Sequence, residues 1–258
     1  MDWLLLAAAA FLAGLVDAVV GGGGLILIPA LFVALPQAVP ATILGTNKFA
    51  AIFGTASAAV RYAKRIEVPW RVALPAALAA VVFSWFGAMS VAVLSKDMLR
   101  PLVLLLLIVV VVYTFVRKDF GSVDENRRHG AGDTWWALLL GAALGFYDGF
   151  FGPGTGSFLI FLYVRFFGLD FLRASSAAKI VNVASNGAAL VYFGAAGHVL
   201  WMMAVVLAAC NISGALLGSH LAVRHGSGFV RWVFLVVAAA LIAKFGYDTF
   251  AAIVFFRL

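Results

Sequence analysis

Charge is what this chain has least of. Only 11% of its residues are Asp, Glu, Lys or Arg, against 65% hydrophobic, where a soluble domain carries about a quarter charged and about half apolar residues. So few charges cannot cover a soluble surface, which leaves an integral membrane protein with almost no room for a soluble domain. Cysteine is nearly absent as well. Cys210 stands alone, which excludes an internal disulfide and any multi-cysteine metal site; it reads as a small residue packed between helices. Alternating apolar stretches are lacking too. The apolar runs are long and continuous, which selects helices over barrel strands, the other architecture that closes its backbone hydrogen bonds in a bilayer. Acids are outnumbered 11 to 18, for a net charge of +7. The excess is not a nucleic-acid signal, because the basic residues cluster in short loops between spans. No basic region precedes the first apolar run, which contains Asp17, so that run reads as retained rather than cleaved. His129, His198, His220 and His225 show no metal spacing, and neither a metal site nor a cofactor is expected.

What the chain does contain is a repeat. Gly14, Asp17, Gly21 and Gly23 reappear 131 residues later as Gly145, Asp148, Gly152 and Gly154. With the same offset Lys48 matches Lys179, Trp70 matches Trp201, Gly87 matches Gly218 and Arg100 matches Arg231. Apolar coincidences are common in so hydrophobic a chain, but acids, lysines, arginines and tryptophans holding one offset are not. A duplicated hydrophobic unit with glycine-interrupted segments is the pattern of a secondary transporter.

The expected order in the first half is a helix at about 3–20, the break Gly21-Gly22-Gly23-Gly24, a short apolar piece at about 25–36, and spans at about 41–62, 70–94 and 99–116. Residues 117–133 form the only extended polar stretch and read as a linker between a first repeat (1–116) and a second (134–258). The second half gives about 135–151, the break Gly152-Pro153-Gly154-Thr155-Gly156, then 157–167, 175–193, 199–223 and 229–250. Crossing the hydrocarbon takes about 20 residues, and 25–36 and 157–167 fall short. Each broken pair is therefore either two tilted spans or a re-entrant hairpin, and both return the chain to its starting side. Three further crossings follow, so the repeats are inverted. Loop charge agrees. The 62–71 turn is basic (Arg61, Lys64, Arg65, Arg71) and its counterpart near 194–200 has no Lys or Arg, whereas the 34–42 turn is uncharged and its counterpart carries Arg165 and Arg173. This exchange is what the positive-inside rule gives for inverted copies, with the 117–133 linker cytoplasmic and both termini outside.

Several residues could carry chemistry. Lys48 and Lys179 lie within spans. They either snorkel toward headgroups or face the bundle interior as a cationic pair, which intramembrane charge suggests by default. Asn182 and Asn186 follow Lys179 by three and seven residues, on one helical face; Thr55 shares the face of Lys48, with Asn47 beside it. Such neutral donors suit an oxyanion, and interhelical hydrogen bonding is the alternative. Gly21 to Gly24, and Gly152, Gly154, Thr155 and Gly156, each precede a short helix, where an unwound segment aims backbone N–H groups and partial positive charge at one place. Asp17 and Asp148 are proton-coupling candidates, or else structural partners of the lysines. The Gly141-xxx-Gly145-xxx-Gly149 and Gly214-xxx-Gly218 spacings read as close helix packing.

Three segments, Gly14-Leu-Val-Asp17-Ala-Val-Val-Gly-Gly-Gly-Gly24, Leu44-Gly-Thr-Asn-Lys48 and Gly145-Phe-Tyr-Asp-Gly-Phe-Phe-Gly-Pro-Gly-Thr-Gly156, resemble the sulfite exporter TauE/SafE family of membrane transporters. The resemblance implies transport of a sulfur-containing anion such as sulfite or an organosulfonate. A related thiosulfate-uptake branch depends on several cysteines, and the single Cys210 argues against it. Ala177-Ala178-Lys179 stands where the first repeat has Thr46-Asn47-Lys48, so the half-sites are chemically unequal. The expected protein is an all-α secondary transporter of a small anion in the bacterial inner membrane, not an enzyme. Its partners would be that anion, the lipid bilayer and a coupling proton or Na+, with no nucleic acid. A passive anion channel and a membrane-embedded enzyme are the alternatives.

Overall fold

The computed structural model describes residues 3–92 and 131–255, and every described element is a helix. The first half contains α1 (Trp3–Val20), α2 (Gly24–Ala34), α3 (Pro40–Ala63) and α4 (Trp70–Met89), the last followed by a 3-10 turn at Ser90–Ala92. The second contains α5 (Ala131–Phe150), α6 (Thr155–Phe167), α7 (Phe171–Ala195) and α8 (Trp201–Phe255). Trp3–Val20, Trp70–Met89 and the Trp201–Val237 part of α8 are each long and apolar enough to cross a membrane. Helices α3 and α7 are more polar and more enclosed. They carry the buried Thr46, Asn47, Lys48 and Thr55, and the buried Ser175, Ser176, Lys179, Asn182, Ser185 and Asn186.

Two boundaries differ from the sequence reading. Residues 131–133 belong to α5 rather than to the linker; the rest of the linker and the span expected at 99–116 lie outside the described residues. Helix α7 starts four residues early, because Oδ1 of Asp170 accepts the N–H groups of Leu172 (2.8 Å) and Arg173 (3.1 Å), satisfying two donors that a helix start otherwise leaves open. At Gly226 (φ 81°, ψ −175°) the backbone leaves the helical conformation and divides α8 into two helices, where the sequence expects a break between 199–223 and 229–250. Ser227, beside the bend, donates to the same Asp170 oxygen at 2.8 Å, which ties the bend to the start of α7.

Packing repeats with the offset seen in the sequence. Helix α1 packs along α8 as α5 packs along α4, and α3 crosses α8 as α7 crosses α4. A Cβ at Gly14 would meet the Asn211 backbone and one at Gly145 the Ala80 backbone; a Cβ at Gly87 would meet Phe146 and one at Gly218 would meet Leu15. The members of each couple of contacts map onto one another by 131 residues. The glycine spacings do the close packing expected of them: Gly141, Gly145 and Gly149 lie on Ala76, Ala80 and Ser84, and Gly214 and Gly218 on Phe11 and Leu15. Each series steps by four residues on both helices, so whole helical turns meet backbone to backbone. At the helix ends, Glu67 pairs with Arg173 (3.4 Å), and His198 shares a 3.3 Å hydrogen bond with Thr42. Those two contacts also occupy offset-equivalent positions.

Two apolar clusters leave a polar layer between them. One holds Leu6, Ala10 and Ala13 of α1, Ile43 to Ala50 positions of α3, and Ala189 and Phe193 of α7. The other holds Ala18 to Val20 of α1, Ala58 and Tyr62 of α3, and Ala174 to Val181 positions of α7. The intervening stretches carry Asp17, Thr55, Asn182, Ser185 and Asn186.

Candidate functional site

Both glycine breaks turn their short helix back along the preceding one. Leu27, Ile28 and Leu31 of α2 share a cluster with Leu6, Ala10 and Ala13 of α1, which sets the two helices antiparallel. The turn residues Gly21 and Gly152, 131 positions apart, both have positive φ (79° and 92°), a conformation that a Cβ disfavours. The tips of the two hairpins touch. The Ser157 N–H donates to Gly21 O (3.1 Å), the Ser157 hydroxyl to Val20 O (2.7 Å), and a Cβ at Gly21 would lie 2.3 Å from the Gly156 carbonyl carbon. Only two residues without side chains allow this approach.

The lysines and aspartates meet in crossed pairs. Lys48 Nζ lies 2.8 Å from Oδ2 of Asp148, with both side chains almost fully buried. Lys179 Nζ lies 3.6 Å from Oδ2 of Asp17 and also donates to the Asp17 main-chain carbonyl. Each lysine is thus held by the acid of the other half. Lys48 and Lys179 each stand eight residues after the first residue of their helices and are 2% and 0% exposed. Snorkelling is thereby replaced by burial against a carboxylate, which is how an intramembrane charge is tolerated. The acids have neutral donors too. Thr55 donates to Oδ2 of Asp17 (3.1 Å), Gly23 N–H lies 3.4 Å from Oδ1 of Asp17, and Ser185 donates to Oδ2 of Asp148 (2.6 Å).

One cavity of about 30 Å³ collects these groups. It is lined by Asp17, Gly21, Gly24, Asn47, Lys48, Ala51, Thr55, Asp148, Gly152, Gly154, Thr155, Gly156, Asn182 and Asn186. That volume exceeds the 10–15 Å³ or so that one water needs, and it suits a group of a few atoms. The asparagines line the cavity rather than bridging helices, and Oδ1 of Asn182 is buried without a hydrogen-bond partner. Three residues expected in the site stand behind the wall. Lys179 is turned to Asp17; Gly22 faces Val16, Leu25 and Ser157; Gly23 abuts Ala13 and Asp17. The break amides are also less free than expected. Gly21 N–H donates to Asp17 O, Gly152 N–H to Tyr147 O and Thr155 N–H to Gly152 O, because each turn closes its own hydrogen bonds.

The sequence reading omitted Ser185 and Ser157. Ser185 stands three residues after Asn182, on the same helical face, and that spacing could have found it. Ser157 directly follows Gly156, but nothing local signals that it bonds Val20.

A family model described as Sulfite exporter TauE/SafE matches residues 6–245. Among curated proteins, the chain is 36% identical over 234 residues to the "Probable membrane transporter protein ORF9" of Sinorhizobium sp, covering 90% of this chain and 88% of that protein. It is 35% identical over 241 residues to the "Probable membrane transporter protein YfcA" of Escherichia coli K12, covering 93% and 88%. It is 33% identical over 239 residues to a "Probable membrane transporter protein" of Haemophilus influenzae, covering 92% of each. No solved structure matches the chain.

Proposed function

The chain belongs to the sulfite exporter TauE/SafE family of membrane transporters, and from that premise we propose that it is a secondary transporter of a small sulfur-containing anion, sulfite or an organosulfonate, in the bacterial inner membrane. Its two repeats, 1–116 and 131–258, are inverted across the membrane and joined by a cytoplasmic 117–130 linker, residues 131–133 belonging to α5. Helices α2 and α6 are the returning arms of re-entrant hairpins: 11 and 13 residues span only about 16–20 Å at 1.5 Å per residue, short of the roughly 30 Å hydrocarbon.

The observation that carries this reading is a single polar cavity lined from both halves, with a glycine turn of each hairpin and the ammonium of Lys48 at its wall. Lys48 supplies the charge-assisted contact to the anion. Asn47, Asn182 and Asn186 orient its oxygens without trapping it, while the Thr155 hydroxyl stays committed to Gly152 O at 2.8 Å. Lys179 acts one step removed, by fixing the Asp17 hairpin. Asp17 and Asp148 are the candidates for coupling transport to protons.

Counterflow in proteoliposomes tests the function. External sulfite, methanesulfonate or sulfoacetate should accelerate release of the same labelled anion from inside; a passive channel gives no such trans-stimulation. Lys48→Ala should weaken binding about ten- to a hundredfold, the equivalent of losing a charge-assisted contact of roughly 1.5–3 kcal/mol. Transport of none of these anions, or normal affinity in Lys48→Ala, overturns the reading.

A further inference from the structure

Resting on the proposed function, we propose that Asp148 is the proton-carrying group of the transport cycle: its protonation releases Lys48 to the anion, so that one proton travels with each anion bound at Lys48. The cavity is electrically balanced as it stands. Lys48 and Asp148 cancel, and so do Lys179 and Asp17. An anion entering a balanced, buried site meets no free cation, and its own charge would be uncompensated. Protonating one carboxylate frees one ammonium. The proton adds to a carboxylate oxygen of Asp148, the Lys48–Asp148 ion pair opens, and the anion takes the place of the carboxylate beside Nζ. A neutral acid, an ammonium and a monoanion again sum to zero.

The two pairs are not equivalent, and the differences select Asp148. Lys48 and Asp148 both line the cavity, whereas of the other pair only Asp17 does and its lysine does not. A Cβ at Gly152 would lie 3.0 Å from Lys48 Nζ and 3.2 Å from Oδ1 of Asp148, so both groups face the glycine turn of the second hairpin. Lys48 and Ser185 both bind Oδ2 of Asp148, while Oδ1 lies on the Gly152 side, where a proton and an anion would arrive. In the other pair, Lys179 is 0% exposed and is also fixed by the Asp17 main-chain carbonyl, and Asp17 receives Thr55 and the Gly23 N–H as well. That pair is held by more contacts than Lys48–Asp148.

The remaining groups around Asp148 leave it as the exchanging acid. From α3 it faces Lys48, and from α7 Ser185 and, at the second pair, Lys179; α1 contributes Asp17. Tyr147, its neighbour on α5, has its hydroxyl committed to Pro153 O at 2.7 Å, and Tyr62 donates to Ala18 O at 3.0 Å. Helix α4 brings the neutral Ser84, which donates to Ser185 O.

The test uses the full chain in proteoliposomes with labelled methanesulfonate, a monoanion whose charge does not change near neutral pH. An interior one pH unit more alkaline than the exterior should drive about tenfold accumulation in the wild type, since one unit is a factor of ten for one proton per anion. Asp148→Asn mimics the protonated acid. It should retain measurable counterflow, at a rate that no longer depends on pH, and lose gradient-driven accumulation. Ser185→Ala, which removes one donor to the charged carboxylate, should move the pH midpoint of counterflow to higher pH. That variant decides the matter if Asp148→Asn does not fold. Gradient-driven accumulation that persists in Asp148→Asn, an unmoved midpoint in Ser185→Ala, or acceleration by a Na+ gradient alone overturns the proton assignment and leaves the anion site standing. Absence of wild-type methanesulfonate counterflow overturns the sulfonate reading itself, and the proton assignment with it.

Discussion

The crossed pairing of Lys48 with Asp148 makes a quantitative prediction about stability. Both side chains are almost fully buried at a separation of 2.8 Å, so removing one partner strands a charge in a low-dielectric interior, at a cost of about 3–5 kcal/mol. For a chain of this length 1 kcal/mol corresponds to roughly 2–4 °C of melting temperature, so Lys48→Met and Asp148→Asn should each lower it by about 6–20 °C. The double variant removes both charges and should recover most of that loss, apart from the Ser185 hydrogen bond. Its coupling energy, a double loss of about 1 kcal/mol less the two single losses, should therefore be on the order of 5–9 kcal/mol and opposite in sign to the single losses. The assay is thermal unfolding of the purified protein in detergent for the four proteins of the cycle. Single variants within about 2 °C of the wild type, or a double variant that loses the sum of both, would refute the reasoning.

Three further expectations follow from other contacts. Gly21→Ala forces positive φ on a residue whose Cβ would meet the Gly156 backbone at 2.3–2.5 Å, so it should cost about 2–5 kcal/mol from backbone strain plus overpacking; Gly24→Ala, with its nearest new contact at 3.4 Å, should stay within about 0.5 kcal/mol, and paired melting curves compare them. Asp170→Ala removes the cap of α7 and the tie to Ser227, and should destabilise by about 1–2 kcal/mol; Asp170→Asn should restore part of this, and an alanine variant as stable as the wild type would dismiss the cap. In a Cys210→Ala background, Ala196→Cys should react with an impermeant thiol reagent from outside and Glu67→Cys only after permeabilisation, both positions being exposed; labelling of both from one side would remove the inversion.

The helices were legible because their limits are written locally. Pro40 opens α3, glycines end α1 and α5, and the polar turn 64–69 and the glycine turn at Gly197 separate long apolar runs. The site was legible as a set of residues, because Asp17, Lys48, Lys179 and the glycine runs each recur at one offset. The partners of those residues were not legible. Lys179 meets an acid 162 positions away and Lys48 one 100 positions away, and helical periodicity carries no information about contacts between halves. Local chemistry also misled. The amides of Gly21 and Gly152 looked available for an anion, yet each turn consumes them.

The crossed pairs also bear on how the chain can be made. Lys48 leaves the ribosome 100 residues before Asp148, which at about 5–20 residues per second is a delay of roughly 5–20 s. For that time α3 holds a cation with no carboxylate from its own partner pair. The first half must therefore wait at the translocation machinery or near the headgroups, with Lys48 hydrated, and sink to its final depth only when α5 arrives. The same holds in reverse for Asp17, whose lysine arrives later still. Membrane insertion of this protein thus cannot finish helix by helix. It closes late, when the second hairpin brings Asp148 and seats its glycine turn against the first, and α7 then brings Lys179.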